Sequence, residues 1–384
     1  MRREHAGPAA ADPSFPTTAG PAERLRFLLG YAVLAPSRHN TQPWMFEIEG
    51  DEVRVYVDAA RALPAADPDG RQLLMACGAA LVNLRVAAQH FGYATSEEIL
   101  PGCAFDGLVA RVRLEERCAT TPEGEAMFRA IPLRRTNRLP LDGRDPPQGL
   151  VTALLREARR ECVSLRAVEE HQRRVVSEIV AEGDRLQWAS GRFRGELAAW
   201  TRSNGSSRRD GLPGYAYGMG DAAALVHPLA VRFARAGRGE ADRARRRALV
   251  TKALLVLSTP DDGRAQWIAA GEALQRVLLR ATCAGLCASY FAQAIELPDL
   301  RRRLRGAIGE PGAPQIMFRL GYGLDVRAPP RRSLSEVIRS IEAAPPRPQP
   351  LAVRAPPPLA LPRVFAPGAA GAAPPAAQPG AVIR

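Results

Sequence analysis

Hydrophobic and polar residues alternate along the first part of the chain with two distinct periods. Between Ala22 and Pro36 the apolar residues return every three or four positions, which predicts an amphipathic helix that ends at the proline. Two alternating runs, Trp44–Glu49 and Glu52–Asp58, are separated by a Gly-Asp pair and predict a β-hairpin. The long apolar segment Arg71–Phe91 is stopped by a glycine, which predicts a buried helix.

The same two periods continue along the rest of the chain and predict a fold that contains both helices and sheets. Helical periodicity is found in three further segments, namely Pro146–Arg160, Glu169–Trp188 and Gln266–Leu286. Strand-like runs are found in another three, namely Leu108–Leu114, Leu249–Thr259 and Gln315–Gly321.

Three segments show neither period. Residues 1–20 are charged and then rich in Pro and Ala, which favours a flexible arm. Residues 189–222 are rich in Gly, Arg and aromatic residues, which predicts a long loop that is either a mobile surface feature or a lid over a ligand. Residues 343–384 hold twelve of the 34 prolines together with much Ala and Gly, so we expect a disordered tail.

Two of the predicted helices share a sequence pattern. A shift of 193 residues aligns them at six identical residues in seventeen positions. The aligned pairs are Ala76 with Ala269, Gly78 with Gly271, Ala80 with Ala273, Leu81 with Leu274, Ala88 with Ala281, and Gly92 with Gly285. One explanation is chance similarity between two Ala-rich core helices. The other is duplication of a dimer-forming fold, with its two long helices packed about a pseudo-two-fold axis.

The net charge of +13 is the property that would suggest a nucleic-acid partner. Lys252 is the only lysine, however, so the excess of arginine reflects composition more than a patch. The runs Arg245–Arg247 and Arg301–Arg303 lie in helix-like sequence without interleaved aromatic residues, and we interpret them as solvated faces. We therefore predict no nucleic-acid partner.

Cysteine usage and hydropathy narrow the class of protein further. The six cysteines form no CxxC pair, and Cys283 and Cys287 have no nearby histidine that would complete a zinc site. No uninterrupted apolar run of about eighteen residues occurs, and the N-terminus lacks a signal-peptide pattern. We expect reduced thiols in a cytoplasmic protein with no metal site and no membrane partner.

The segment Ala35–Trp44, with the sequence APSRHNTQPW, is a polar cluster between a predicted buried helix and a predicted buried strand. Its prolines bracket Ser37, Asn40 and Gln42, short hydrogen-bonding side chains with little conformational freedom to lose. Such a stretch suits the polyol and the ring edges of a ligand.

This segment resembles the PSxxNxQPW loop of the nitroreductase family of FMN enzymes, and it is most similar to the fused, single-chain branch typified by the mycobacterial Acg proteins. The resemblance implies that Ser37, Arg38, Asn40 and Gln42 contact FMN.

A second segment, Arg134–Arg138 with the sequence RRTNR, resembles the RRSxR signature that opens the first helix in this family. The resemblance implies that Arg134, Thr136 and Arg138 contact the phosphate and the ribityl chain, which agrees with the chemistry of guanidiniums near a helix start. The alternative is an exposed basic turn. The signature begins the chain in single-copy relatives, so its position here implies that a second copy begins near residue 121.

Two further segments carry weaker resemblances. Pro329–Leu334 is similar to the family's C-terminal basic pair, which implies that Arg331 and Arg332 close over the phosphate. Ala288–Phe291 follows the second long helix, where the backbone of relatives approaches the flavin N5 edge. The resemblance therefore adds Ser289 and Tyr290 to the predicted cofactor contacts.

The resemblance implies an α+β fold in which two fused nitroreductase-like copies form an intramolecular pseudo-dimer. The first half is expected at 21–120 and the second at 121–342. The first lacks RRSxR and the second lacks PSxxNxQPW, so each supplies one part of a composite site. One FMN per chain and a monomeric protein follow from this arrangement.

The function implied by the resemblance is that of an oxidoreductase, in which FMN passes electrons from NAD(P)H to a nitroaromatic, a quinone or a similar small acceptor. The alternative is a flavin-binding protein whose lid at 189–222 limits turnover. No other motif competes with these two. The segment Gly218–Ala223 lacks the preceding strand of a dinucleotide fold, and His39 lacks the GxSxG elbow of a serine hydrolase, so it is interpreted as a hydrogen-bonded loop residue.

Overall fold

The computed structural model describes residues 15–101, 106–233 and 237–339. Within these ranges the chain has the mixed α+β fold that the sequence predicts. The helices are α1 (Pro21–Ala32), α2 (Arg71–His90), α3 (Pro122–Ala130), α4 (Leu150–Arg159), α5 (Glu170–Ala189), α6 (Gly191–Trp200), α7 (Asp221–Phe233), α8 (Gly237–Val250), α9 (Arg264–Cys283), α10 (Gln293–Glu296), α11 (Pro298–Ala307) and α12 (Leu334–Val337). The strands are β1 (Trp44–Glu49), β2 (Glu52–Val57), β3 (Tyr93–Ile99), β4 (Leu108–Arg117), β5 (Ser164–Ala167), β6 (Thr201–Arg202), β7 (Leu212–Pro213), β8 (Ala253–Thr259), β9 (Cys287–Tyr290), β10 (Ala313–Gly321) and β11 (Ile338–Arg339).

Two main sheets organise the described residues. The first has five strands in the order β11-β1-β2-β4-β3, and all its pairs are antiparallel except β11 with β1. The second has four antiparallel strands in the order β5-β8-β10-β9. The short strands β6 and β7 pair with each other in parallel. Four strands of the first sheet thus come from residues 44–117 and the fifth is the C-terminal strand, whereas the strands of the second sheet all lie within 164–321.

The helices α2 and α9 form the centre of the molecule. α2 packs on the first sheet, α9 packs on the second, and the two helices pack against each other. Their contact is close because both carry a glycine there. A Cβ atom at Gly78 would collide with the carbonyl oxygen of Ile268, and one at Gly271 with the carbonyl oxygen of Met75. The two glycines matched by the sequence repeat therefore lie at the contact between the helices.

The apolar character of α2 belongs to a core helix. It is the one helix in the described ranges that is long and apolar enough to cross a bilayer, but 83% of its most apolar window is buried inside the protein. Hydrophobicity of this kind is needed here because one side of the helix faces a sheet and the other faces α9.

Several predicted elements are confirmed. α1 covers the first amphipathic segment, and β1 and β2 form the predicted hairpin with Trp44 opposite Val57. The three predicted helices α2, α5 and α9 are observed within a few residues of their expected bounds. β10 covers the predicted strand and extends two residues further toward the N-terminus. Long segments of clear period are thus the ones that the sequence predicts well.

Residues 189–222, predicted to be a long loop that is either mobile or a lid, are not one continuous loop. Helix α6 occupies its first third, and Phe193 is buried in a small core with Leu63 and Ala66. Leu197 and Trp200 pack against the same core. The high Gly and Arg content hid three apolar residues at helical spacing, and these residues anchor the helix.

The chain ends were predicted to be flexible or disordered. The tail at 343–384 and most of the arm at 1–20 lie outside the described residues. Phe15, near the end of the predicted arm, stacks on Phe91 with 4.5 Å between ring centroids and meets Phe27 edge to face. The chain is therefore already packed on the protein a few residues before α1 begins.

Candidate functional site

The loop that carries the first motif adopts an unusual backbone. It contains a short 3-10 turn at Arg38–Asn40, and His39, Asn40 and Gln42 all have φ between 51° and 55°. Residues with side chains rarely adopt this left-handed region, so the surrounding contacts must hold them in it. One such contact is the hydrogen bond from the backbone N–H of Gln42 to Oγ of Ser37, at 2.9 Å.

Asn40 and Gln42 tie this loop to two distant segments. Asn40 Nδ2 donates to the carbonyl oxygens of Gly211 at 3.1 Å and Pro330 at 3.0 Å. Gln42 is fully buried, and its Oε1 accepts from the backbone N–H of Arg332 at 2.8 Å. Neither side chain is among the lining residues of the cavity described below, and hydrogen bonds within the protein occupy both.

Arg332 has a comparable internal role. Its guanidinium donates to the carbonyl oxygens of Gln42 at 3.2 Å and Glu336 at 2.7 Å, and it forms an ion pair with Asp58 at 3.3 Å. Arg332 therefore joins the C-terminal segment to the hairpin of the first sheet, and it does not line the cavity described below.

Arg134 and Arg331 form a second group, whose positive charges are not compensated. Arg134 is 4% exposed, and its Nε and Nη1 atoms have no hydrogen-bond partner among the described residues. Burial lowers its pKa, and Arg135 adds to the effect. Burial together with Arg134 and Arg135 lowers the pKa of Arg331 to about 9. Arg331 does find neutral acceptors, namely the side-chain oxygen of Asn40 and the carbonyl oxygen of Leu34.

This donor set fits a phosphate group. Buried cations are normally paired, because an isolated charge is costly to remove from water. The described residues provide neither Arg134 nor Arg331 with a salt bridge, and a phosphate would accept hydrogen bonds from the unpartnered Nε and Nη1 atoms of Arg134. The phosphate of FMN is therefore compatible with the residues that the fold brings together here.

A cavity of about 480 Å³ lies near this group: Arg134 and Arg331 are not among its lining residues, but Tyr290, which interacts electrostatically with Arg134, is. Its volume is within the range of small-molecule sites. Six of the predicted cofactor contacts line it, namely Ser37, Arg38, Thr136, Arg138, Ser289 and Tyr290. The segment of the second motif runs alongside β9, since Thr136 bridges to Ala288 and the N–H of Asn137 donates to the Ala288 carbonyl at 2.8 Å. This pairing brings the second motif next to the residues after α9.

His39, predicted to be a hydrogen-bonded loop residue, instead lines the cavity. It is 5% exposed, it lines the cavity, and its Nε2 atom has no hydrogen-bond partner among the described residues. Burial lowers its pKa well below the usual value, and Arg38 and Arg138 add to this, so the imidazole is neutral at pH 7. Its place inside the first motif was the available signal, but the sequence could not show that the left-handed backbone turns it inward.

The folded part of residues 189–222 covers the same cavity. Phe193, Leu197, Leu212, Tyr217 and Met219 all line it. The guanidinium of Arg138 lies 5.3 Å from the centre of the Tyr217 ring, a cation–π distance. The far side of the cavity is polar, and its side chains were not predicted from the sequence, namely Asp184, Gln187, Glu240, Arg243, Arg247, Gln293 and Arg319.

The chain is similar to curated proteins of Mycobacterium tuberculosis. Rv3131 of strain H37Rv, which is named as an NAD(P)H nitroreductase, is 31% identical over 338 residues, covering 86% of this chain and 94% of Rv3131. The protein acg of the same strain, named likewise, is 30% identical over 329 residues, covering 84% of this chain and 97% of acg. No family model matches the chain.

A likeness to a solved structure was also found. The FMN-dependent nitroreductase NfnB from Mycobacterium smegmatis in complex with NADPH is 18% identical and superposes with a TM-score of 0.34, covering 56% of this chain and 98% of NfnB. The family of the chain follows from the two curated relatives and not from this superposition. The chain matches nearly the whole length of both, so it belongs to the family of NAD(P)H nitroreductases that includes acg and Rv3131. The resemblance inferred from its motifs is thereby confirmed.

Proposed function

We propose that this protein is an FMN-dependent oxidoreductase that passes electrons from NAD(P)H to a small acceptor such as a nitroaromatic or a quinone. The observation that carries the proposal is the buried, uncompensated guanidinium of Arg134, which lies near Arg331 and near Tyr290 in the wall of a cavity of ligand size. Membership of the acg and Rv3131 family supports it, since both relatives are named as NAD(P)H nitroreductases.

The residues of this chain take three roles in the proposed site. Arg134 and Arg331 hold the phosphate. The cavity-lining residues Ser37, Arg38, Thr136, Arg138, Ser289 and Tyr290 contact the ribityl chain and the ring. Asn40, Gln42 and Arg332 position the loop by hydrogen bonds within the protein. When bound, FMN supplies the electron transfer, and the protein supplies binding, orientation and a covered ring face.

We also propose that the chain is two fused nitroreductase-like halves, at 21–120 and 121–342, which share one FMN. The sequence repeat supports this, as does the meeting of Gly78 and Gly271 at the contact between α2 and α9. The composition of the sheets agrees with the division, because each half contributes one sheet and the chain then returns to the first through β11. On this proposal the protein is a monomer.

A second function is favoured by the position of α6 and the segment after it. This covering segment is tied to the rest of the protein at two points: Tyr215 donates to the carbonyl oxygen of Ala328 at 3.1 Å, and Asp210 pairs with Arg61 at 3.1 Å. A cover held at these points would limit access to the ring. The alternative function is therefore a lidded protein that sequesters or stores FMN with little turnover.

The visible spectrum of protein purified without added flavin separates these functions. The oxidoreductase predicts a yellow protein that bleaches quickly when NADPH or NADH is added without oxygen. The flavin store predicts a yellow protein that stays oxidised with either nucleotide but bleaches with dithionite. A colourless protein that also fails to bind added FMN would reject both.

A further inference from the structure

The polar side of the cavity contains a buried arginine that the proposed flavin contacts do not use. Arg319 lies on β10 directly opposite Ser289 of β9, next to the strand that we propose meets the ring. It is 3% exposed, and its side chain lines the cavity. Its Nη2 donates to the carbonyl oxygen of Leu139 at 2.9 Å, but within the described ranges no carboxylate is close enough for a salt bridge.

Arg247 of α8 faces the same space. It is half-buried and lines the cavity, and the described ranges give its side chain no salt bridge either. Burial lowers the pKa of Arg319 to about 10, and repulsion by Arg247 adds to this effect. Two like charges that face one partly dry space are costly, and an anion placed between them would remove the cost.

Among the described residues the acids of this cavity offset the two arginines only in part, since Asp184 attracts Arg247 but forms no salt bridge with it. Glu240 is already paired with Arg243 on the same helix. Asp184 accepts a hydrogen bond from Gln293 Nε2 at 3.2 Å, and burial, with Glu240 adding to it and Arg247 opposing it, raises the pKa of Asp184 to about 7. Asp184 is therefore largely protonated below neutral pH, and the polar side of the cavity is then net positive.

We propose that Arg319 and Arg247 form an anion subsite that binds the carboxylate of a small aromatic electron acceptor. This inference rests on the proposed function, because the acceptor must lie against the flavin ring. A carboxylate suits the planar fork of arginine, and Tyr217 and Phe291 line the same cavity and can contact an aromatic body. The cavity of about 480 Å³ is of a size that takes small-molecule ligands, and the acceptor would share it with the ring.

Calorimetric titration with benzoate and benzamide tests the subsite directly. The two compounds have nearly the same size and shape and differ in charge. At about pH 6, where Asp184 is mostly protonated, we expect the wild-type protein to bind benzoate at least about tenfold more tightly, as for one charge-assisted hydrogen-bonding pair. Neither compound accepts electrons, so this measurement does not depend on turnover.

Three variants test which arginines cause the preference for benzoate over benzamide. Arg319→Gln and Arg247→Gln are each expected to reduce the preference for benzoate at least about tenfold. Arg319→Gln keeps an amide donor for Leu139, and Arg247→Gln changes a half-buried position, so at least one of the two should fold normally. Arg246→Gln is the matched control, because this exposed neighbour on α8 carries the same charge and does not line the cavity. It should leave the preference unchanged.

Kinetics with 4-nitrobenzoate and its methyl ester complete the test. The subsite predicts a higher kcat/KM for the acid, and loss of that advantage in Arg319→Gln with the ester unaffected. Equal binding of benzoate and benzamide by the wild type, or an equal loss in Arg246→Gln, would overturn it. A loss of activity in Arg319→Gln that is seen with NADPH but not with NADH would also overturn the proposal, because the arginines would then bind the nucleotide.

Failure of the subsite and failure of the proposed function give different results. A protein that reduces the ester well but shows no preference for the charged compound is an oxidoreductase without this subsite. A protein that discriminates benzoate from benzamide but bleaches with no nucleotide and reduces no acceptor has the subsite, and the proposed oxidoreductase function is then wrong.

Discussion

Arg134 differs from most buried charged residues, because no residue of opposite charge is paired with it among the described residues. Its charge is buried, two of its nitrogens have no hydrogen-bond partner among the described residues, and its nearest charged neighbours include Arg135 and Arg331. Such an arrangement destabilises the protein on its own. We infer that Arg134 binds an anion. It then strengthens anion binding and lowers the stability of the anion-free protein.

Replacing Arg134 by methionine is expected to weaken FMN binding by at least about tenfold, because a charge-assisted hydrogen bond to the phosphate is lost. The melting temperature of the flavin-free protein should stay the same or rise, because an unpaired buried cation has been removed. Titration of flavin fluorescence gives the first quantity, and thermal unfolding without flavin gives the second.

Arg129→Met is the control for this substitution, since Arg129 is an exposed arginine on α3 and its loss changes the net charge equally. It should alter neither the FMN affinity nor the melting temperature. If Arg134→Met instead lowered the flavin-free melting temperature and left the FMN affinity intact, the role of Arg134 would be structural.

At the scale of elements, the close packing of α2 against α9 depends on a glycine at their contact. Gly271→Ala is expected to lower the free energy of unfolding by about 3 kcal/mol or more, because the added methyl group would meet the Met75 carbonyl oxygen between two tightly packed helices. Urea unfolding measures this change. Gly195→Ala is the matched control within α6, where an added Cβ meets nothing within 4 Å. It should be neutral or stabilising by up to about 1 kcal/mol, and a similar loss in both variants would contradict the packing argument.

A partly buried charge cluster joins three elements and the turn after α4 near that contact. Arg85 on α2 pairs with Glu97 of β3, Glu272 of α9 and Glu161 after α4, at 2.7 to 3.1 Å. Burial raises the pKa of Glu272 to about 7, with Glu161 and Glu97 adding to the effect and Arg85 opposing it. Since this folded-state pKa lies above the usual value of 4.5, Glu272 binds its proton more tightly in the folded protein. Its contribution to stability is therefore present at low pH and is lost as the pH rises through about 7.

Glu272→Gln is accordingly expected to become more stable relative to the wild type as the pH rises from about 5 to about 8, by about 1–3 kcal/mol over that range. Melting temperatures measured across the pH range test this. Glu97→Gln should behave differently at high pH, because Glu97 accepts two hydrogen bonds from Arg85, at 2.9 and 2.7 Å, and their loss destabilises the protein. A constant difference between Glu272→Gln and the wild type at every pH would disprove the argument.

At the scale of the whole molecule, the end of the chain returns to its beginning. β11 pairs in parallel with β1, and the segment before it supplies Arg331 and Arg332 to the loop of the first motif. The proposed site is therefore assembled from both halves. We expect one FMN per chain and a monomeric protein, measured by flavin absorbance against protein concentration and by light scattering. Two flavins per chain, or one flavin shared by two chains, would contradict the fused arrangement.

Much of the fold could be predicted because its long elements have a clear period. α2, α9 and the β1–β2 hairpin are apolar on the sides that become buried, and this pattern is local. β3 was not predicted, because its residues are largely polar and its pairing with β4 supplies the stability that its own side chains do not. Likewise, α6 depends on a small core with Leu63 and Ala66, residues more than a hundred positions earlier in the chain.

The sequence by itself determined which segments we propose as parts of the site. Ser37, Thr136 and Arg138 stood out through their motifs, and all three line the cavity. The motif loop also pointed to Asn40 and Gln42, but the sequence could not show that their hydrogen bonds are used within the protein.

Only the tertiary structure decided which side chains meet and which charges stay unpaired. It placed Arg134 beside Arg331 and Arg319 beside Arg247, and it turned His39 into the cavity. The physical reason is that helical and strand periods arise from backbone geometry over a few residues, whereas burial, desolvation and charge compensation depend on neighbours far away along the chain. A motif can therefore be recognised locally, but the strain and the uncompensated charge that give it a function appear only in the folded protein.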